Sequence, residues 1–286
     1  MGPMASDPAT ATAELGSIDG RIAPSAELAI PATDEGLLRG DGVFEVIRVY
    51  DGVPFALADH LARLERSGVN LRLPEVFRAE LESEIPELLE ARGGASFDGV
   101  LRVVVTRGGR RVLLTEPLAP KPPGVRLGFV TYAPTRVLDA IKSLSYGANM
   151  LCTRLAQERG FDEALLVTPH GRVLEAPTSS LFWVEGGGAL CTPPLEEHVL
   201  ASITRDRLTR LLDVEERPCP RDDLFAASEA FLASTIREVQ SIGAVEDVEF
   251  EEGPRTREAA EAFRAHVEEE LRDSSRAHPA EPSASG

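Results

Sequence analysis

Lys121 and Lys142 are the only lysines in this chain of 286 residues; the other 28 of its 30 basic side chains are arginines. The difference matters chemically. A primary amine can condense with an aldehyde to give a Schiff base and can then carry a proton, whereas a guanidinium stays protonated and does neither. Lys121 lies in Ala-Pro-Lys-Pro-Pro-Gly, a proline-rich connection that suits a solvated role. Lys142 lies in Ala-Ile-Lys-Ser-Leu-Ser-Tyr, just before a helical pattern. Taken by itself, that context reads as a surface lysine near a helix start.

The elements around these residues can be read from periodicity. Gly42 to Tyr50 alternates and is rich in β-branched and aromatic residues, which predicts a strand that Asp51-Gly52 turns into Val53-Pro54-Phe55. Leu57, Leu61 and Leu64 recur at helical spacing, so the segment around His60 is an amphipathic helix. A second helix is predicted over Glu75 to Arg92, and buried strands over Val100 to Thr106 and Val125 to Tyr132. Together these form an α/β domain at 16–132, preceded by a leader at 1–15 expected to be disordered. Ala133-Pro134-Thr135 marks a linker at 133–137.

A second domain follows at 138–272. It holds a helix over Ala148 to Arg159, strands at Glu163 to Thr168, Val173 to Glu175, Leu181 to Glu185, Ala189 to Thr192 and Glu229 to Ala233, and helices over Thr204 to Leu212 and Arg255 to Arg272. The tail at 273–286 is expected to be disordered. Strands and helices do not alternate here, so a parallel dinucleotide-binding fold is not expected, and Gly186 to Gly188 reads as a hairpin turn.

Composition narrows the function classes. A net charge of −17 disfavours nucleic acid as a partner. Cys152, Cys191 and Cys219 form no metal-ligand pattern, so no metal is expected, and an odd number of thiols suits a reducing compartment. The N-terminal stretch has neither the basic start nor the apolar run of a signal peptide, and no segment reaches the ~18 consecutive apolar residues of a membrane helix. A cytoplasmic protein with no membrane partner is expected.

Several motifs occur in a fixed order. They are Gly40-Asp41-Gly42-Val43-Phe44-Glu45 with Arg48, His60-x-x-Arg63-Leu64, Lys142-Ser143-Leu144-Ser145-Tyr146, Gly160-Phe161-Asp162-Glu163-Ala164-Leu165-Leu166, Gly171 with Glu175, Ser180-Leu181-Phe182, Thr192-Pro193-Pro194-Leu195, and Leu200-Ala201-Ser202-Ile203-Thr204-Arg205. This ordered set resembles the class IV aminotransferases. The resemblance implies a two-domain α/β and α+β architecture of fold type IV, with a small α/β domain packed on a larger pseudo-barrel domain. It further implies pyridoxal-5′-phosphate (PLP) between the domains, and a homodimer whose partner completes a pocket for amino and keto acids.

The resemblance also assigns roles. Lys142 matches the lysine that forms the Schiff base and carries the proton, and Glu175 matches the carboxylate beside the pyridine nitrogen. Arg63 matches the phosphate arginine, Thr235 a phosphate-binding hydroxyl with Ser234 beside it in the cofactor set, and Leu200 the residue packed on the ring. Ser202, Ile203 and Thr204 open a helix whose N–H groups suit an anion. Ser179 and Ser180 join the cofactor set. Ser180 stands where the family usually has Asn, and Ser202 where it usually has Gly; the second change narrows the backbone's freedom but keeps its N–H groups.

Substrate contacts are expected from Phe44, Val46, Arg48 and Tyr146. Phe44-Glu45-Val46-Ile47-Arg48 resembles the D-amino acid enzymes of the family. The Arg-x-His pair that often holds the substrate carboxylate in those enzymes is absent after Thr106-Arg107-Gly108, which leaves Arg107, Arg110 or Arg111 to supply a carboxylate fork or to serve as a charged loop tip. The expected reaction is D-amino acid transamination, with specificity relaxed towards (R)-amines. The alternatives are an aminodeoxychorismate lyase, then a branched-chain aminotransferase, then a family member without catalysis.

Overall fold

The computed structural model describes residues 14–277, with side chains to Asp273. Its first sheet has six strands in the spatial order Arg21–Pro24, Leu15–Ile18, Arg111–Pro117, Gly99–Thr106, Gly42–Tyr50 and Val53–Pro54, every neighbouring pair antiparallel. Helices Leu57–Asn70 and Arg78–Arg92 cover it. Alternation along the strands explains the packing. Val43, Ile47 and Val49 of one strand, and Leu101, Val103 and Val105 of the next, point at the helices and join Leu61, Leu64, Leu81, Ile85 and Leu88 in one core. Phe44, Val46, Arg102 and Val104 point the other way, into the space between the sheets.

The second sheet is larger and mixed. Its order runs Val214–Glu216, Leu190–Thr192, Ser179–Val184, Glu229–Ser234, Glu238–Val245, Val125–Thr131, Glu163–Val167, Arg172–Val173 and Cys219–Pro220. Trp183, Leu165, Leu181 and Leu232 lie in its core, and helix Pro254–Ala277 packs against Glu238–Val245.

Three sequence boundaries shift. Val125–Thr131, assigned above to the first domain, lies between Glu238–Val245 and Glu163–Val167 and runs parallel to both. The break between the sheets is therefore the proline-rich stretch 118–124, not 133–137. Leu15, assigned to the leader, is already in a strand, while positions 1–13 lie outside the described residues. The last helix continues to Ala277, past the predicted start of the tail, and 278–286 lie outside the described residues.

Candidate active site

Three contacts hold the Lys142 segment. The Lys142 carbonyl accepts from the Phe44 N–H at 3.0 Å, the Leu144 N–H donates to the Gly42 carbonyl at 2.9 Å, and the Lys142 N–H donates to Ser67 Oγ at 3.1 Å. The close approach requires glycine at 42, because a Cβ there would meet the Val105 carbonyl at 2.5 Å and the Leu144 side chain at 2.6 Å. Lys142 thus projects from a short connection stitched to the first sheet. It sits 4.3 Å from the Phe44 ring centroid and 5.8 Å from that of Tyr146. Burial and the nearby Arg63 charge lower its amine to about 8. An appreciable fraction is then the free, nucleophilic base near neutral pH.

The helix Leu57–Asn70 turns His60, Arg63 and Leu64 inward together, since residues three and four apart share a face. Arg63 donates to Glu45 through Nε at 2.7 Å and through Nη2 at 2.6 Å, and its Nη1 donates to the Ala201 carbonyl at 3.1 Å. His60 Nδ1 lies 2.8 Å from the same carboxylate. Burial alone would raise the Glu45 carboxyl, but the Arg63 charge and the bonds from Arg63 and His60 hold it at about 2. Glu45 is therefore an acceptor, which puts the His60 proton on Nδ1. His60 Nε2 is buried with no partner among the described residues.

Glu175 faces Lys142 across the cavity. Its carboxyl is raised to about 8 by burial, against a hydrogen bond accepted from the Leu200 N–H at 3.1 Å and the attraction of Lys142 and Arg205. A cationic ring nitrogen beside it would favour the ionised form. Ser202 caps helix Ile203–Leu211, its side chain accepting from the Arg205 N–H. The first N–H groups of that helix have no partners within it.

These groups converge on a cavity of about 640 Å³ between the two sheets. Lys142, Arg63, Glu175, Ser179, Ser180, Leu200, Ser202, Ser234, Thr235, Phe44, Val46 and Tyr146 line it. Ile203 and Thr204 are buried behind Ser202. The donor set fits PLP, with a free amine for an aldehyde, a carboxylate for a ring nitrogen, and a guanidinium, hydroxyls and a helix start for a phosphate. An independent sign is that Ser179 Oγ and Ser180 Oγ, both in the lining, are buried without partners among the described residues, as expected of a lining shaped for a polar ligand.

Three expected substrate residues lie elsewhere. Arg48 shares the face of Phe44 and Val46, but its guanidinium is bound to Asp98 at 2.6 Å and to the carbonyls of Val49 and Gly99, away from the cavity. Arg107 is held by Asp41 and the carbonyls of Leu71 and Arg72. Arg110 pairs with Asp19 at 2.6 Å. The guanidinium groups that do reach the wall, besides Arg63, are those of Arg102 and Arg237, which the motif reading missed. Arg102 stands opposite Val46 in the strand register and pairs with Glu116 through Nε at 2.6 Å. Alternation could have found it, because a lone charge in GVLRVVVT falls on the Phe44–Val46 face. Glu45 and Tyr132 were also missed.

The fold and this lining fit a PLP site between the two sheets. Known proteins agree. The family model "Amino-transferase class IV" matches residues 42–245. A putative branched-chain-amino-acid aminotransferase of Methanocaldococcus jannaschii is 33% identical over 247 residues, covering 78% of this chain and 84% of the relative. D-alanine aminotransferase of Bacillus licheniformis is 33% identical over 250 residues, covering 80% and 87%. Among solved structures, the branched-chain aminotransferase of Thermoproteus uzoniensis with norvaline superposes with a TM-score of 0.82 at 28% identity, covering 92% of this chain and 97% of that one. The chain belongs to the class IV aminotransferases, fold type IV enzymes that use PLP to transfer amino groups between amino and keto acids. Among the described residues no helix is long and apolar enough to cross a membrane, and no group of side chains could hold a metal ion.

Proposed function

We propose that this enzyme takes the amino group of a D-amino acid and passes it to a keto acid, with Lys142 as the catalytic lysine. The observation that carries the reading is the pairing of a lysine amine lowered to about 8 with a buried carboxyl, Glu175, across one cavity. Bound there, PLP supplies an electron-withdrawing ring that accepts the charge developing at the substrate's α carbon. Lys142 would hold the cofactor's aldehyde and, once the donor's amino group has displaced it, would as a free base take the proton from that carbon. Glu175 keeps a proton on the ring nitrogen. Arg63, Ser234, Thr235, Ser202 and the N–H groups of Ile203 and Thr204 hold the phosphate. Ser179 and Ser180 would donate to the cofactor's polar edge, and Leu200 would pack on the ring.

Phe44, Val46 and Tyr146 form the substrate side. Arg102 lines that wall; Glu116 takes its Nε at 2.6 Å and its Nη2 at 3.0 Å, so it would meet a substrate carboxylate through Nη1, a role that Arg48, Arg107 and Arg110 do not fill in this chain's own cavity. The D-specific reading is supported by the Phe44-Glu45-Val46-Ile47-Arg48 strand and by the likeness to D-alanine aminotransferase. A homodimer belongs to the same reading. Leu37, Leu38 and Val137 are 60%, 59% and 82% exposed, the kind of apolar surface that a second copy covers. Three unpaired thiols suit the cytoplasm.

A branched-chain reading has specific support in the apolar wall of Phe44, Val46 and Val104 and in the Methanocaldococcus relative. The deciding experiment mixes the PLP-loaded protein with D-alanine, D-glutamate, L-leucine and an (R)-amine in turn, without acceptor, and follows the visible spectrum. Conversion to the amine form of the cofactor with D-donors supports the proposal. Conversion with L-leucine alone makes it a branched-chain enzyme, and no conversion with any donor points to a lyase or to a non-catalytic member.

A further inference from the structure

The ladder between strands Ser179–Val184 and Glu229–Ser234 ends at Ser180 opposite Ala233. Beyond that pair no strand pairing joins the two chains, yet both continue along the cavity, one through Thr178 and Ser179 and the other through Ser234 to Arg237. Glu163 spans the gap. It is 5% exposed and opens strand Glu163–Val167. One carboxylate oxygen accepts from Thr178 Oγ1 at 3.1 Å, and the other pairs with Arg237 Nη2.

Arg237 passes the restraint on. Its Nη1 donates to Gln240 Oε1 at 2.6 Å, and its backbone N–H donates to Ser234 Oγ at 3.3 Å. Gln240 Nε2 donates to the Pro122 carbonyl at 2.8 Å, and Lys121 Nζ to the Arg237 carbonyl at 2.6 Å. The connection between the two sheets is thus fastened to the same turn. A buried carboxylate is an expensive way to hold a wall that apolar packing could hold. It does fix direction, because each of its oxygens is taken by a residue of the cavity lining.

We infer that Glu163 is a positioning residue, a clasp that holds the Thr178–Ser180 segment and the Ser234–Arg237 turn at the spacing needed for their hydroxyls to grip the cofactor. The inference rests on the cavity being the PLP site. Glu163 touches no reacting atom; it acts through Thr178 and Arg237.

The test titrates the full-length apo protein with PLP and measures the dissociation constant by fluorescence or dialysis, alongside melting of the apo form. Glu163→Gln keeps the shape but leaves Arg237 without its counter-charge, and is expected to weaken PLP binding about tenfold, the scale of one lost charge-assisted hydrogen bond. Thr178→Val alters an exposed, near-isosteric position, should fold normally, and is expected to weaken binding about threefold. The pair Glu163→Gln with Arg237→Gln removes the orphaned charge, so its melting point should recover while its PLP affinity stays low. Affinity that recovers together with melting, or PLP binding equal to wild type in both single variants, overturns the clasp and leaves the cofactor site standing. Failure of the wild-type protein to bind PLP overturns both.

Discussion

Replacing Glu45 by Gln tests how the Arg63 side of the cavity is built. Glu45 is fully buried and carries two bonds from Arg63 and one from His60. Its carboxyl sits at about 2 where an ordinary glutamate sits at 4.5, which corresponds to roughly 3 kcal/mol of folding stability at neutral pH. The sign follows from the direction of the shift. A lowered carboxyl contributes its full stabilisation above about 4.5 and loses it as pH falls through about 2. Removing one partner of a buried pair leaves the other uncompensated and costs about 3–5 kcal/mol, the same scale.

Glu45→Gln should therefore lower the melting point by roughly 6–12 °C at pH 7. The double variant Glu45→Gln with Arg63→Gln should recover part of that loss, because no lone charge remains buried. The same change has a functional arm. Glu45 is one of the two carboxylates whose charge raises Lys142, so its loss should move the Lys142 amine below about 8. Calorimetry of the wild type, Glu45→Gln, Arg63→Gln and the double variant at pH 7 is the assay. A loss of under about 1 kcal/mol in the single variant, or losses that simply add in the double, would refute the reasoning.

Other outcomes follow from the same geometry. The rate at which apo protein attaches PLP should rise roughly fivefold from pH 7 to 8 and level off above 9, because Lys142 loses its proton near 8; a steady tenfold rise per pH unit up to 10 would mean an ordinary lysine. Glu175→Gln should cut the half-reaction rate by about 10²-fold or more while PLP still binds, as read by stopped-flow absorbance; a change under threefold would remove Glu175 from the ring nitrogen. Arg102→Gln should raise KM for the amino acid by about tenfold with kcat changed far less, and unchanged KM would leave the carboxylate anchor to another residue.

Much of the site could be read in the sequence, for a physical reason. The segments that carry these motifs are short and have fixed chemistry, so motif order is enough to propose Lys142, Glu175, Arg63 and the hydroxyl set as cofactor residues, and all but the buried Ile203 and Thr204 line one cavity. Contacts set by pairing between distant strands could not be read in this way. Val125–Thr131 looks like any apolar strand, and only its parallel partners at Glu238–Val245 and Glu163–Val167 assign it to the second sheet. Glu238–Val245 itself escaped because QSIGAV holds small and polar residues that weaken the alternating signal. Arg107 and Arg110 stand in an arginine-rich loop that reads as a carboxylate fork, but Asp41 and Asp19, far off in sequence, hold them. Arg102 was passed over because an apolar strand conceals its one charged residue until the register with Val46 is known.

The measurement that most directly tests the central claim is borohydride reduction of the PLP-loaded protein, followed by mass spectrometry of its peptides. The account predicts one cofactor per chain, attached at Lys142 and absent in Lys142→Ala, with that variant melting as a folded protein. Attachment at Lys121 or at the N-terminal amine, or no attachment in a wild-type protein that binds PLP, would contradict it.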